Sequence, residues 1–226
     1  MAQRLLVIGG SSGIGLATAR LAAEWGIEPV LVSRDPSRAD LDAERHAVDV
    51  RDHAALRDVL ARVGEVDYLV SCTVARAFGP VRELDLEAAR NVFDTKLLGP
   101  LAAIQTAQVR EAIVLVSGVA SVTPMRGGAI TAAVNGAVEA LVRTLAVELA
   151  PVRVNAVSPG IIDTPTWAGM AEDARAAMFD RIATAYPAGR VGTAEDVGSA
   201  ILGVLMNGFI TGAVIPVDGG HRLAAP

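Results

Sequence analysis

The chain has 226 residues, 52% of them hydrophobic but only 4% aromatic, and a formal net charge of −5. Such a chain can bury one large aliphatic core, and without a basic stripe it argues against a nucleic-acid footprint. A single cysteine, Cys72, excludes an internal disulfide. Together with no apolar run of membrane-spanning length and no room for a signal peptide, this points to a cytoplasmic protein without membrane partners.

In chain order, strands are predicted at about 4–8, 29–33, 45–48, 66–71, 112–117, 152–157 and 213–217. Helical patterns fall between them, at about 13–26, 52–63, 86–108, 128–149 and 193–206. This alternation implies βαβ units and a parallel sheet in an α/β fold. The segment from Asp35 to Glu44 is too short for a full crossover helix, so that crossover is reduced. No repeat or linker divides the chain, which reads as one domain over 1–226. The stretch 161–187, with Pro165 and Pro187 near its ends, carries no strand signal and is a candidate substrate lid.

The first turn carries the clearest motif. The apolar run Leu5 to Ile8 leads into Gly9-Gly10-Ser11-Ser12-Gly13-Ile14-Gly15, and a helical pattern follows at once. Glycines let a backbone approach a pyrophosphate, whose charge the N–H groups at a helix start can bind. Gly9, Ser11, Ser12, Gly13, Ile14 and Gly15 are therefore candidate dinucleotide-binding residues, although the G-x3-G-x-G spacing differs from the commoner G-x-G-x-x-G. After the second strand stand Ser33 and Arg34, where a carboxylate would accept from a ribose 2′-hydroxyl. An arginine fork pairs instead with a 2′-phosphate, which favours NADP(H). The alternative is a solvated arginine in a chain with 19 arginines and a single lysine, Lys96. Asp49 and Val50, after the third strand, are placed to line an adenine.

These motifs resemble those of the short-chain dehydrogenase/reductase family, and the resemblance spans essentially the whole chain. Val152 to Thr164, with Ser158-Pro159-Gly160, looks like the family's segment after its sixth strand. Gly189 to Val197, Thr211-Gly212 and Val217-Asp218-Gly219-Gly220 are similar to its C-terminal signatures. The resemblance implies a single Rossmann-fold domain: a doubly wound, seven-stranded parallel sheet with helices on both faces. It also implies a small-molecule substrate and a homodimer or homotetramer. Pro159, Gly160, Ile162 and Thr164 would hold the nicotinamide carboxamide, while Ser71, Cys72 and Thr73 replace the family's asparagine-rich turn.

The catalytic half of the resemblance does not match. The family uses Ser, Tyr and Lys, with an Asn from an earlier helix; Tyr-x-x-x-Lys sets two of them one helical turn apart. Here the tyrosine position is Thr131 and the lysine position Asn135, the serine position falls on Gly118 with Ser117 one residue before it, and the asparagine position is Lys96. Lysine and asparagine thus stand exchanged. One reading is that Lys96 reaches the nicotinamide ribose from the opposite side and Asn135 completes the network; the other is a drifted site with Lys96 a partly exposed helix residue. Thr131 is a poor acid, suited to orienting substrate or water. Tyr68 reads as core or strand surface, and Tyr186 as packing or cleft lining. Cys72 reads as a small buried hydrophobe, and His46, His53 and His221 lack metal-ligand spacing and read as surface. The expected function is an NADP(H)-dependent oxidoreductase acting on a small or medium carbonyl or alcohol through Lys96, Ser117, Thr131 and Asn135. The alternative is a cofactor-binding pseudoenzyme that senses NADPH or serves a catalytic partner. A relative that has lost its cofactor is disfavoured by Gly9, Gly13, Gly15 and Arg34.

Overall fold

The computed structural model describes residues 2–224. In chain order it forms β1 (Arg4–Ile8), α1 (Gly13–Glu24), β2 (Glu28–Ser33), β3 (Glu44–Ala47), α2 (His53–Val63), β4 (Glu65–Ser71), α3 (Leu86–Phe93), α4 (Gly99–Thr106), β5 (Gln108–Val116), α5 (Ala129–Glu148), β6 (Arg153–Pro159), β7 (Ile162–Asp163), α6 (Glu172–Ala185), β8 (Gly192–Thr193), α7 (Ala194–Met206) and β9 (Val214–Val217). Seven strands make one parallel sheet in the order β3-β2-β1-β4-β5-β6-β9. The period-2 alternation of a strand sends Leu6 and Ile8 of β1 to one face and Leu5 and Val7 to the other. Leu6 and Ile8 join a core with Leu56 and Val59 of α2 and Val138 and Val142 of α5. Leu5 and Val7 join another with Ala19 of α1 and Ile201 and Leu202 of α7. Burial of each such side chain stabilises by about 1.5–3 kcal/mol, and a strand apolar on both sides requires both helical layers. The single seven-stranded, doubly wound α/β domain is as expected.

The strand order reverses between β1 and β4, which opens a crevice beyond their carboxyl ends, the usual place for a ligand in such a sheet. The glycine turn fills that corner. A Cβ on Gly15 would lie 2.3 Å from the Gly9 carbonyl oxygen, so only glycine lets α1 start this close to the end of β1. The C-terminal signatures have structural work to do. Thr193 and Asp196 form a reciprocal capping box at the start of α7, and Arg190 holds the Asp196 carboxylate at 2.6 Å. Buried Asn155 donates to the Ile210 carbonyl at 2.8 Å and accepts from the Ala213 N–H at 3.0 Å, docking the entry to β9.

Three elements differ from the sequence expectation. The single helix predicted over 86–108 is a helical rod with a π-helical segment, Asp94–Leu98, between α3 and α4. The Gly99 N–H reaches back to the Asp94 carbonyl, and Pro100 has no N–H to give the Lys96 carbonyl in an α-helical ladder. β5 starts at Gln108, pairing with Glu65, so the strand is four residues longer at its polar end than expected. The stretch 161–187 contains β7, paired in parallel with β8, and the whole of α6. The sequence expectation that no apolar run reaches membrane length also needs correction. α5 has 20 residues and a mean hydropathy of 1.4, enough by length and composition. Its Val134, Val138, Val142 and Leu145 are buried in the fold, and Asn135, Glu139 and Arg143 interrupt the apolar surface.

Candidate active site

A cleft of about 680 Å³ runs across the carboxyl ends of the strands. Its charged lining comprises five cations, Arg34, Arg38, Arg51, Arg76 and Lys96, against two carboxylates, Asp35 and Asp49. Gly9, Ser11, Ser12, Gly13 and Ile14 line it from the first turn, Pro159, Gly160, Ile162 and Thr164 from the segment after β6, and Cys72 and Thr73 from the end of β4. Gly15 stands behind that wall against Gly9, and Ser71 is buried beneath it with its hydroxyl 3.4 Å from that of Thr73.

At one end, Ser33 and Arg34 line the cleft together with Val50 and the Asp49 carboxylate. The Ser33 Oγ is buried with no hydrogen-bond partner among the described residues, an orphan polar atom on a residue that lines this end of the cleft. Neither Arg34 nor Arg38 has a carboxylate within ion-pair distance among the described residues. Arg51 does: it grips Asp49 through Nε at 3.0 Å and Nη2 at 2.6 Å, and this pairing holds the Asp49 carboxyl at about 2. Two free guanidiniums beside an unpartnered hydroxyl fit the 2′-phosphate of a phosphorylated dinucleotide. The residues present therefore fit NADP(H).

At the other end, the four candidate catalytic residues line the same cleft. Lys96, carried by the π-helical segment, donates from Nζ to Asn135 Oδ1 at 2.6 Å and to the Ser117 carbonyl at 2.8 Å. Asn135 in turn donates from Nδ2 to the Gly118 carbonyl at 3.1 Å. The exchanged residues thus meet. Gly118 is matched to them, because a Cβ there would lie 2.8 Å from Asn135 Nδ2, so a side chain at 118 and Asn135 compete for one space. Burial pulls the Lys96 ammonium down to about 8, against the opposing pull of negative charge nearby, including Glu139. Burial likewise pushes the Cys72 thiol up to about 12, which keeps it protonated and unreactive at neutral pH.

The Ser117 hydroxyl is committed elsewhere. It donates to Glu139 Oε1 at 3.0 Å, and Ser121 donates to the same oxygen at 2.7 Å. Ser117 therefore presents its carbonyl to Lys96 while its hydroxyl is held by α5. Thr131 lines the cleft and forms no side-chain hydrogen bond among the described residues. Neither tyrosine lines the cleft. Tyr68 is buried in the sheet and accepts from Gln3 Nε2 at 2.8 Å. Tyr186 is buried against His221, its hydroxyl 2.5 Å from Nδ1 and the rings 4.8 Å apart, so His221 is a packing partner and not a free surface residue.

Residues 9–222 match the sequence profile of a family described as enoyl-(acyl carrier protein) reductase. The chain is 36% identical to a cis-4-hydroxycyclohexanecarboxylate dehydrogenase of Sinomonas cyclohexanicum, covering 97% of each protein. It is 35% identical to an L-xylulose reductase of Mus musculus, covering 96% of each. The chain belongs to the short-chain dehydrogenase/reductase family. A solved small-chain dehydrogenase in complex with NADPH superposes with a TM-score of 0.91 at 33% identity, over 99% of this chain and all of that one. In this short-chain dehydrogenase/reductase, sequence reasoning missed Arg38 and Glu139. Arg38 was signalled by its place four residues after Arg34 in the same short connection, and Glu139 by its place one helical turn after Asn135 on α5.

Proposed function

We propose that the chain is an NADPH-dependent carbonyl reductase with a rearranged active site, in which Lys96 supplies the proton. The observation that carries this reading is the seating of the Lys96 ammonium between the Ser117 carbonyl and Asn135 Oδ1 inside the cleft. An ammonium has three N–H donors, and these two acceptors leave one for a ligand. When bound, NADPH supplies the hydride that reduces a carbonyl carbon. The chain's own part is the proton: Lys96 gives one to the oxygen that becomes the hydroxyl, and the resulting amine regains it from solvent. Asn135 and the Ser117 carbonyl hold Nζ in place, and Thr131 orients the oxygen. Ser33, Arg34 and Arg38 bind the 2′-phosphate, and 161–187 forms the lid. The dehydrogenase and reductase named among the relatives support hydride chemistry on a small alcohol or ketone.

A second reading rests on the tyrosines. With neither in the cleft and the Ser117 hydroxyl turned to Glu139, the protein would bind NADPH without turnover. One experiment separates the two. NADPH affinity is measured by titration, then NADPH oxidation is followed at its absorbance maximum over a panel of ketones and aldehydes. Turnover that falls at least a hundredfold in Lys96→Met, but not in the surface control Arg57→Ala, is the expected result. Tight NADPH binding with no turnover on the panel favours the second reading, and an unaffected Lys96→Met removes lysine from the chemistry.

A further inference from the structure

Past β4 the chain runs along the cleft as Cys72 to Phe78 without helix or strand, and in this wall the Arg76 guanidinium lies over the Trp167 ring, 4.6 Å from its centroid. The ring is fixed from two sides. Trp167 Nε1 donates to the Ile162 carbonyl at 2.8 Å, and Phe179 of α6 meets the ring edge-on at 6.5 Å. Lys96 apart, the other charged side chains of the cleft all follow β2 or β3, at the end that fits the 2′-phosphate. Besides Trp167, the cleft lining includes the apolar side chains of Phe78, Val119 and Met125, of which Phe78 and Met125 are exposed.

Arg76 has no carboxylate within ion-pair distance among the described residues, whereas Arg51, Arg190 and Arg222 each have one and Arg110 has two. Arg76 is an exposed residue at the cleft, and the desolvation it does undergo pulls its guanidinium below the usual arginine range. Stacking on an indole occupies a face of the guanidinium and leaves its N–H edge free. That edge, beside the Trp167 ring in the cleft lining, matches the plane of a carboxylate.

We infer that Arg76 binds the carboxylate of the substrate, so that the substrates are oxo or hydroxy acids with an apolar body between the two functional groups. The inference rests on the reading of this cleft as a reductase site, and a binding measurement tests it separately from turnover. The NADP⁺-loaded protein is titrated calorimetrically with cyclohexanecarboxylate and with its neutral isostere cyclohexanecarboxamide. The carboxylate binds about tenfold more tightly than the amide, as charge-assisted hydrogen bonds require. Arg76→Gln removes that preference by weakening the carboxylate and leaving the amide unchanged, and Arg76→Lys keeps part of it. Equal binding of the two probes by the native protein overturns the inference, as does failure of the carboxylate to bind. So does an Arg76→Gln protein that loses both probes equally, since Arg76 would then only be bracing Trp167. Carboxylate preference without turnover on any ketone would leave Arg76 assigned and discard the reductase; turnover of neutral ketones with no carboxylate preference would do the reverse.

Discussion

The match between Gly118 and Asn135 predicts a large penalty for adding one methyl group. In Gly118→Ala the new Cβ sits 2.8 Å from Asn135 Nδ2, and its next contacts, at 3.5 and 3.7 Å, also belong to Asn135. The backbone at 118 is extended, with φ 160° and ψ 151°, so alanine adopts it without strain and only the contact matters. Asn135 must move, and it is anchored by its bond to the Gly118 carbonyl and by the bond it accepts from Lys96. A neutral hydrogen bond contributes about 1 kcal/mol and one to a charged group about 1.5–3 kcal/mol, so losing both costs about 3 kcal/mol. In a domain of this size that lowers Tm by about 6–12 °C. The decisive assay is a double-mutant cycle with Asn135→Ala, read by urea and thermal unfolding. Asn135→Ala removes the same two bonds and also the obstacle, so adding Gly118→Ala to it costs almost nothing. Additive losses, or a Gly118→Ala protein as stable as the native one, would refute the proposed competition for space.

Other outcomes follow from the same geometry. Lys96 is pulled down to about 8 in the fold, so between that pH and the ordinary lysine range the unfolded chain holds the extra proton and stability rises with pH, by about 1.4 kcal/mol per unit; it is lost as pH falls through about 8. Urea titrations from pH 7 to 10 should show this slope in the native protein and not in Lys96→Met, and equal slopes would count against it. Arg34→Asp should weaken NADPH binding about tenfold to a hundredfold with NADH unharmed, and Ser33→Ala should have a smaller effect of the same sign; fluorescence titration of both cofactors decides. Tyr186→Phe keeps the ring packing on His221 but loses the 2.5 Å hydrogen bond, which should cost about 1 kcal/mol without changing NADPH affinity.

The sheet was legible in the sequence because its strands are apolar on both faces and punctuated by glycine and proline, as Leu5 to Ile8 before Gly9 illustrates. Polar stretches hid structure: Gln108 to Glu111 extend β5, with Gln108 and Val109 paired to β4 ahead of a register shift, yet carry no apolar alternation to announce it. The π-helical segment was invisible because one widened turn barely disturbs a helical periodicity, leaving Pro100 as the sole cue. Within the cleft, residue positions were readable from motif order, and partner choice was not. Only the exchange of Lys96 and Asn135 hinted at a shared network, while the capture of the Ser117 hydroxyl by Glu139 and the stacking of Arg76 on Trp167 join segments distant in sequence.

The cations lining the cleft give it a charge opposite to that of the molecule. Overall the chain is −5, while five of the seven charged side chains in the cleft are positive. At an ionic strength near 0.15 M the Debye length is about 8 Å, so a diffusing polyanion feels the acidic body only at close range. On most approaches it meets repulsion, and at the cleft mouth it meets attraction. The surface therefore acts as a filter on encounter geometry, turning away misdirected collisions and drawing in a dinucleotide that arrives phosphates first. Raising the salt screens both effects and slows productive capture.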